Sequence, residues 1–115
     1  MIIMRIDHTT ENGVHRYECW DDYGCSVVAS AVAVEENGHI NLKEINVGRS
    51  YRGRGLGTLL LEQVIADFSD RDLVASVFEE RVPWYRRHGF EPVESRGGLI
   101  EVKRRGQSLK MIPRI

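Results

Sequence analysis

Between Gly48 and Gly57 the chain reads Gly-Arg-Ser-Tyr-Arg-Gly-Arg-Gly-Leu-Gly, four glycines and three arginines in ten residues. A run of leucine, valine and isoleucine follows at once, to Ile65. A glycine-rich loop that opens a helix suits phosphate. The first N–H groups of a helix have no internal partner, the helix dipole favours an anion there, and glycine lets backbone approach without a Cβ in the way.

Three phosphate patterns can be laid on these residues. Gly48 and Gly53 have the spacing of a Walker A loop, but Arg54-Gly55 stands where Lys and Ser/Thr are needed, which disfavours ATP. Gly53, Gly55 and Gly57 give G-x-G-x-G rather than the dinucleotide fingerprint G-x-G-x-x-G. Arg52-Gly53-Arg54-Gly55-Leu56-Gly57 satisfies R-x-x-G-x-G in full. A separate RNA contact through the Arg/Gly run is disfavoured by the net charge of −1 and by the helix that follows.

The elements that must hold this loop are legible in outline. Residues 1–7 read as a first strand and "TTENG" as a turn, followed by "VHRYECW" as a second strand and "DDYG" as another turn. "CSVVASAVAV" suits a buried strand, Asn37-Gly38 a reversal, and "INLKEINV" a fourth strand. In that strand Ile40 and Leu42 share one face while Ile45 and Val47 share the other. The flip calls for a β-bulge near Glu44-Ile45, or else for a strand buried on both faces. Leu56, Leu59, Leu60, Val64, Ile65 and Phe68 predict one apolar stripe on the next helix. "LVASVF" predicts a strand, and "EERVPWYRRHGF" a short helix with Pro83 in its first turn and Gly89 after its end. "FEPVE", "SRGG" and "LIEVKRR" predict a closing hairpin. The order β-β-β-β-α-β-α-β-β implies an α/β (α+β) layout, a mixed and mostly antiparallel sheet of six to seven strands with two helices.

The 115 residues predict one domain, 1–115, and the composition, 42% hydrophobic and 29% charged, is that of a globular chain. No apolar run reaches the length of a membrane span and the start is not that of a secretory signal, so cytoplasmic placement is expected, with neither membrane nor nucleic acid as partner. Cys19 and Cys25 are expected as free thiols, His39 and His88 as surface residues. The four histidines are scattered, so no metal is expected.

The stretch "INVGRSYRGRGLGTLLLEQVI" resembles the acetyl-CoA-binding signature of the GNAT superfamily of N-acetyltransferases, in which a valine ends a bulged strand and R-x-x-G-x-G opens the central helix. Downstream, "VPWYRRHGFEPVE" is similar to the family's closing helix and strand, with Tyr85 four residues before Gly89-Phe90. The resemblance runs from about Ser26 to Val102 by element order. Two features depart from it. Only "HTTENG" stands where members usually carry two helices that wall the acceptor site, and "FEERVP" precedes the tyrosine where an asparagine or alanine is common.

The resemblance implies a GNAT-like acyl-CoA N-acyltransferase fold and transfer of an acetyl group from acetyl-CoA to a primary amine: a small amine, a peptide or a protein. It implies that backbone groups of Ile45, Asn46 and Val47 pair with pantetheine, and that Arg52, Gly53, Arg54, Gly55, Leu56, Gly57 and Thr58 cradle the pyrophosphate. Tyr85 is the candidate acid for the leaving thiolate. Glu44, on the bulged strand, is the first candidate base, with Glu79, Glu80 or water as alternatives. The short first connection leaves the acceptor side open, which suits a large acceptor, a site completed in a homodimer, or a CoA-binding module with little catalysis.

Overall fold

The computed structural model describes residues 5–107. Its strands are β1 (Ile6–Glu11), β2 (Val14–Trp20), β3 (Val27–Glu36), β4 (His39–Val47), β5 (Leu73–Val77), β6 (Glu91–Arg96) and β7 (Leu99–Arg104). Helix α1 (Leu56–Asp67) joins β4 to β5 and α2 (Val82–Arg86) joins β5 to β6. Short 3-10 turns over Arg49–Tyr51 and Glu79–Arg81 lead into the two helices. The nine elements come in the expected order.

All seven strands form one sheet, ordered β1-β2-β3-β4-β5-β7-β6. Every neighbouring pair is antiparallel except β4 and β5. Asn12-Gly13 and Asn37-Gly38 make the tight reversals, all four residues at positive φ, the backbone that a two-residue hairpin of this twist demands and that asparagine and glycine supply. Among the described residues no helix is long and apolar enough to cross a membrane.

The core lies on the face of the sheet that carries α1. Ala29, Ala31 and Ala33 of β3 and Ile40 and Leu42 of β4 are buried there with Leu56, Leu60, Leu61 and Val64 of α1. Small side chains on β3 leave room for the helix leucines above them. Tyr17 of β2 is sealed in this layer and its hydroxyl donates to Asp67 Oδ2 at 2.8 Å, tying β2 to the end of α1. Burial, reinforced by that carboxylate, pushes the Tyr17 phenol far above its ordinary value.

Three expectations need correction. Thr9, Thr10 and Glu11 belong to β1 rather than to a turn, so the reversal shrinks to Asn12-Gly13; residues 1–4 of the expected strand lie outside the described residues. β1 is an edge strand, where polar side chains cost nothing. Leu59 is 40% exposed and Leu61 takes its place in the core. At 100° per residue Leu59 points about 140° away from Val64, whereas Leu61 falls about 60° from it. His39 and His88 are half-buried, not surface residues, and the His88 ring meets Trp84 edge-on at 5.3 Å. Cys19 and Cys25 are both free; burial raises the Cys19 thiol above its ordinary value.

Candidate functional site

β4 carries the bulge that its sequence calls for. Val32 of β3 pairs with Glu44 and Ala33 with Leu42, so Lys43 is the extra residue. Upstream, Ile40 and Leu42 face the core; downstream, Ile45 faces it, opposite Ala31, while Glu44 and Asn46 turn to the other face. The slip sits one position before the expected Glu44-Ile45 step.

The bulge coincides with a split in the sheet. β4 and β5 pair only at Ile40↔Leu73, Asn41↔Val74 and Leu42↔Ala75. Beyond Leu42 and Ala75 the two strands run on unpaired with each other. Between them and the start of α1 lies an open cavity of about 520 Å³. It brings together Glu44, Ile45, Asn46, Val47, Arg52, Gly53, Gly55, Leu56, Gly57, Thr58 and Tyr85, residues expected from the sequence.

At one end of the cavity α1 begins without a side-chain cap. Gly55 enters it at φ 79°, a left-handed backbone that strains any other residue. The first intrahelical bond runs from Leu59 N–H to Gly55 C=O at 2.9 Å, so the N–H groups of the first turn before it have no partner among the described residues. Arg52 stands beside them and its Nε donates to the Val47 carbonyl at 3.3 Å. That bond occupies one of the backbone acceptors expected to remain open. Arg54, expected in the cradle, does not line the cavity; its guanidinium lies over the Tyr51 ring, 5.1 Å from the centroid.

Tyr85 lies on the opposite wall. Its ring is wedged between Trp84 and Phe90, at 4.8 and 5.3 Å between centroids, both edge-on. The residue is 8% exposed, and its hydroxyl makes no hydrogen bond to another described residue. Burial raises its pKa above the ordinary phenol value, against a smaller opposing pull from Arg81, so the proton is held at neutral pH. A phenol in this position can give a proton to an atom in the gap.

Of the carboxylates considered, Glu44 lines the cavity and Glu79 and Glu80 do not. Seven lining residues stand outside those the sequence pointed to: Lys43, Tyr51, Ser76, Val77, Phe78, Arg81 and Trp84. For four of them the signal is positional: Ser76 and Val77 end β5 and Phe78 and Arg81 follow it, at the carboxyl end where open sheets with a parallel pair bind ligands. Among the described residues, no group of three or more His, Cys, Asp and Glu side chains is arranged to hold a metal ion.

Known proteins with this architecture are numerous. The chain superimposes on a crystal structure described as histone acetyltransferase HPA2 and related acetyltransferase from Corynebacterium glutamicum, with TM-score 0.72, 19% identity, and coverage of 84% of this chain and 67% of that one. An acetyltransferase from Thermus thermophilus matches with TM-score 0.70 and 22% identity over 82% of this chain and 65% of its own. The PaiA N-acetyltransferase from Thermoplasma acidophilum, solved in complex with coenzyme A, matches with TM-score 0.69 and 12% identity over 81% and 61%. At these identities the likeness carries the fold, and the chain spans roughly two thirds of each of these proteins. No curated protein matches it significantly in sequence. The family model described as acetyltransferase (GNAT) domain matches residues 15–92, from β2 through the split, the helix start and Tyr85 into β6. The chain belongs to the GNAT family of acetyltransferases.

Proposed function

We propose that this cavity takes acetyl-CoA and passes its acetyl group to a primary amine. The observation that carries the reading is the junction of a split sheet and an uncapped helix start in one cavity, with the Tyr85 hydroxyl unengaged on its wall. The pyrophosphate would lie on the first-turn N–H groups of α1 with Arg52 beside it. The pantetheine arm would run along β4 at Ile45 and Asn46 as an added strand.

The chemistry balances with the groups present. Glu44, directly or through water, accepts a proton from the ammonium. The freed nitrogen attacks the thioester carbonyl, forming N–C, and the C–S bond breaks as the tetrahedral centre collapses. Tyr85 protonates the departing thiolate, the second nitrogen proton is lost to solvent, the Tyr85 phenolate regains a proton from solvent, and Glu44 gives up its proton to solvent. The net result is an amide, free CoA thiol and one proton released from the starting ammonium.

A thiol-release assay with acetyl-CoA against a panel of amines, polyamines and peptides tests this. Turnover with an amine supports it. Tight acetyl-CoA binding without turnover on any acceptor would leave a CoA-binding module instead.

A further inference from the structure

Two opposite charges face the gap without meeting. Glu44 comes from β4 on the side turned away from α1. Arg81 comes from the 3-10 turn after β5, where its N–H donates to the Phe78 carbonyl at 2.9 Å and fixes both residues on the wall opposite Glu44. Neither Glu44 nor Arg81 forms an ion pair among the described residues, whereas the neighbouring Lys43 is taken up by Glu36 at 3.5 Å. Phe78 is 64% exposed, an uncovered aromatic ring at the same mouth.

We propose that the acceptor is a zwitterion, an α-amino acid with an apolar side chain. Its ammonium faces Glu44, its carboxylate faces Arg81, and its side chain lies on Phe78. The inference rests on the acetyl-transfer reading above. An anion near the Tyr85 hydroxyl needs a fixed positive partner, and Arg81 is close enough to that hydroxyl to bear on its proton affinity. The cofactor's phosphates have their own donors at the far end, in Arg52 and the first turn of α1. A simple amine would leave Arg81 without a counter-ion and a polyamine would be repelled by it. A guanidinium–carboxylate pair in a partly closed site is among the stronger polar contacts, because both parallel N–H groups engage.

The experiment compares L-phenylalanine, L-phenylalanine amide and phenethylamine as acceptors, in the intact protein and in Arg81→Gln. The expected kcat/KM for the acid exceeds that for the amide and the amine by about 10- to 100-fold, the range for a hydrogen-bonded charged contact. Arg81→Gln is expected to erase that preference and leave the acetyl-CoA Kd unchanged. Calorimetry of phenylalanine binding to the protein saturated with CoA separates this proposal from the catalytic one. Binding that disappears in Arg81→Gln supports the acceptor assignment even if no acetyl transfer is seen. Equal or better use of the amide or amine, no binding of phenylalanine to the CoA complex, or weakened acetyl-CoA binding in Arg81→Gln would each overturn it.

Discussion

Replacing Tyr85 by phenylalanine separates chemistry from packing more cleanly than any other change in the site. The ring contacts with Trp84 and Phe90 stay, and no protein hydrogen bond is lost because the hydroxyl makes none to a described residue. Stability should therefore change by less than about 0.5 kcal/mol. Acetyl-CoA affinity should also hold, since the donors at the start of α1 are untouched. The rate should not. General acid catalysis is worth about 10²–10⁴-fold, or about 2.7–5.4 kcal/mol of barrier at 1.36 per decade. The assay is single-turnover thiol release with the best acceptor from the panel, with a melting curve and a calorimetric Kd on the same preparation. A rate within about threefold of the original, with chemistry limiting, would refute the acid role. A melting temperature that drops by several degrees would instead make the hydroxyl a structural group.

Gly57 should accept alanine, whose Cβ would sit 3.8 Å from both Trp84 and Val47 in ordinary contact. Gly57→Ala is expected to stabilise the helix by up to about 0.5–1 kcal/mol while weakening acetyl-CoA binding about tenfold by crowding the cavity floor, as read by melting curves and calorimetry; unchanged affinity would move the cofactor off this floor. In acid, stability should fall below about pH 4. His15 and then Arg71 hold Glu35 below the usual carboxylate range, the Asn41 amide does so for Glu36, and the Gly106 N–H for Asp72. Folded pKa values lie below unfolded ones, so the contributions are complete above about pH 5 and vanish as pH drops through the folded values. Asp72→Asn should flatten part of that slope in thermal melts from pH 7 to 3, and an unaltered slope would count against it.

The element order was open to sequence reading because the turns announce themselves in Asn-Gly pairs and the strands and helices in their spacing. Alternation showed that β4 changes face but only bracketed the slip between Leu42 and Ile45; the pairing with β3 assigns it to Lys43. Leu59 misled because leucine at an i+3 step suits either edge of a stripe, and only the partner strands decide which edge is covered. Arg54 matched a motif by position, yet a free side chain beside Tyr51 has a nearer surface to lie on. Arg81 was invisible for another reason. After two glutamates it reads as a solvated helix start, and its want of a partner across from Glu44 exists only once β4 and β5 have parted.

The single extra residue in β4 makes this the segment where length matters most. Hairpin loops tolerate an added or lost residue, because the strands beyond them can keep their registers. Loss of one codon at position 43 would let β4 pair with β3 in unbroken step, with Leu42 still opposite Ala33, Glu44 opposite Val32 and Ile45 opposite Ala31, so that no downstream side chain changes face. What would go is the bend and extra twist that a bulge gives its strand, at the point where β4 parts from β5. The extra residue thus shapes the opening and not the core: a deletion at position 43 would keep the core's lining and take away the bend beside the site.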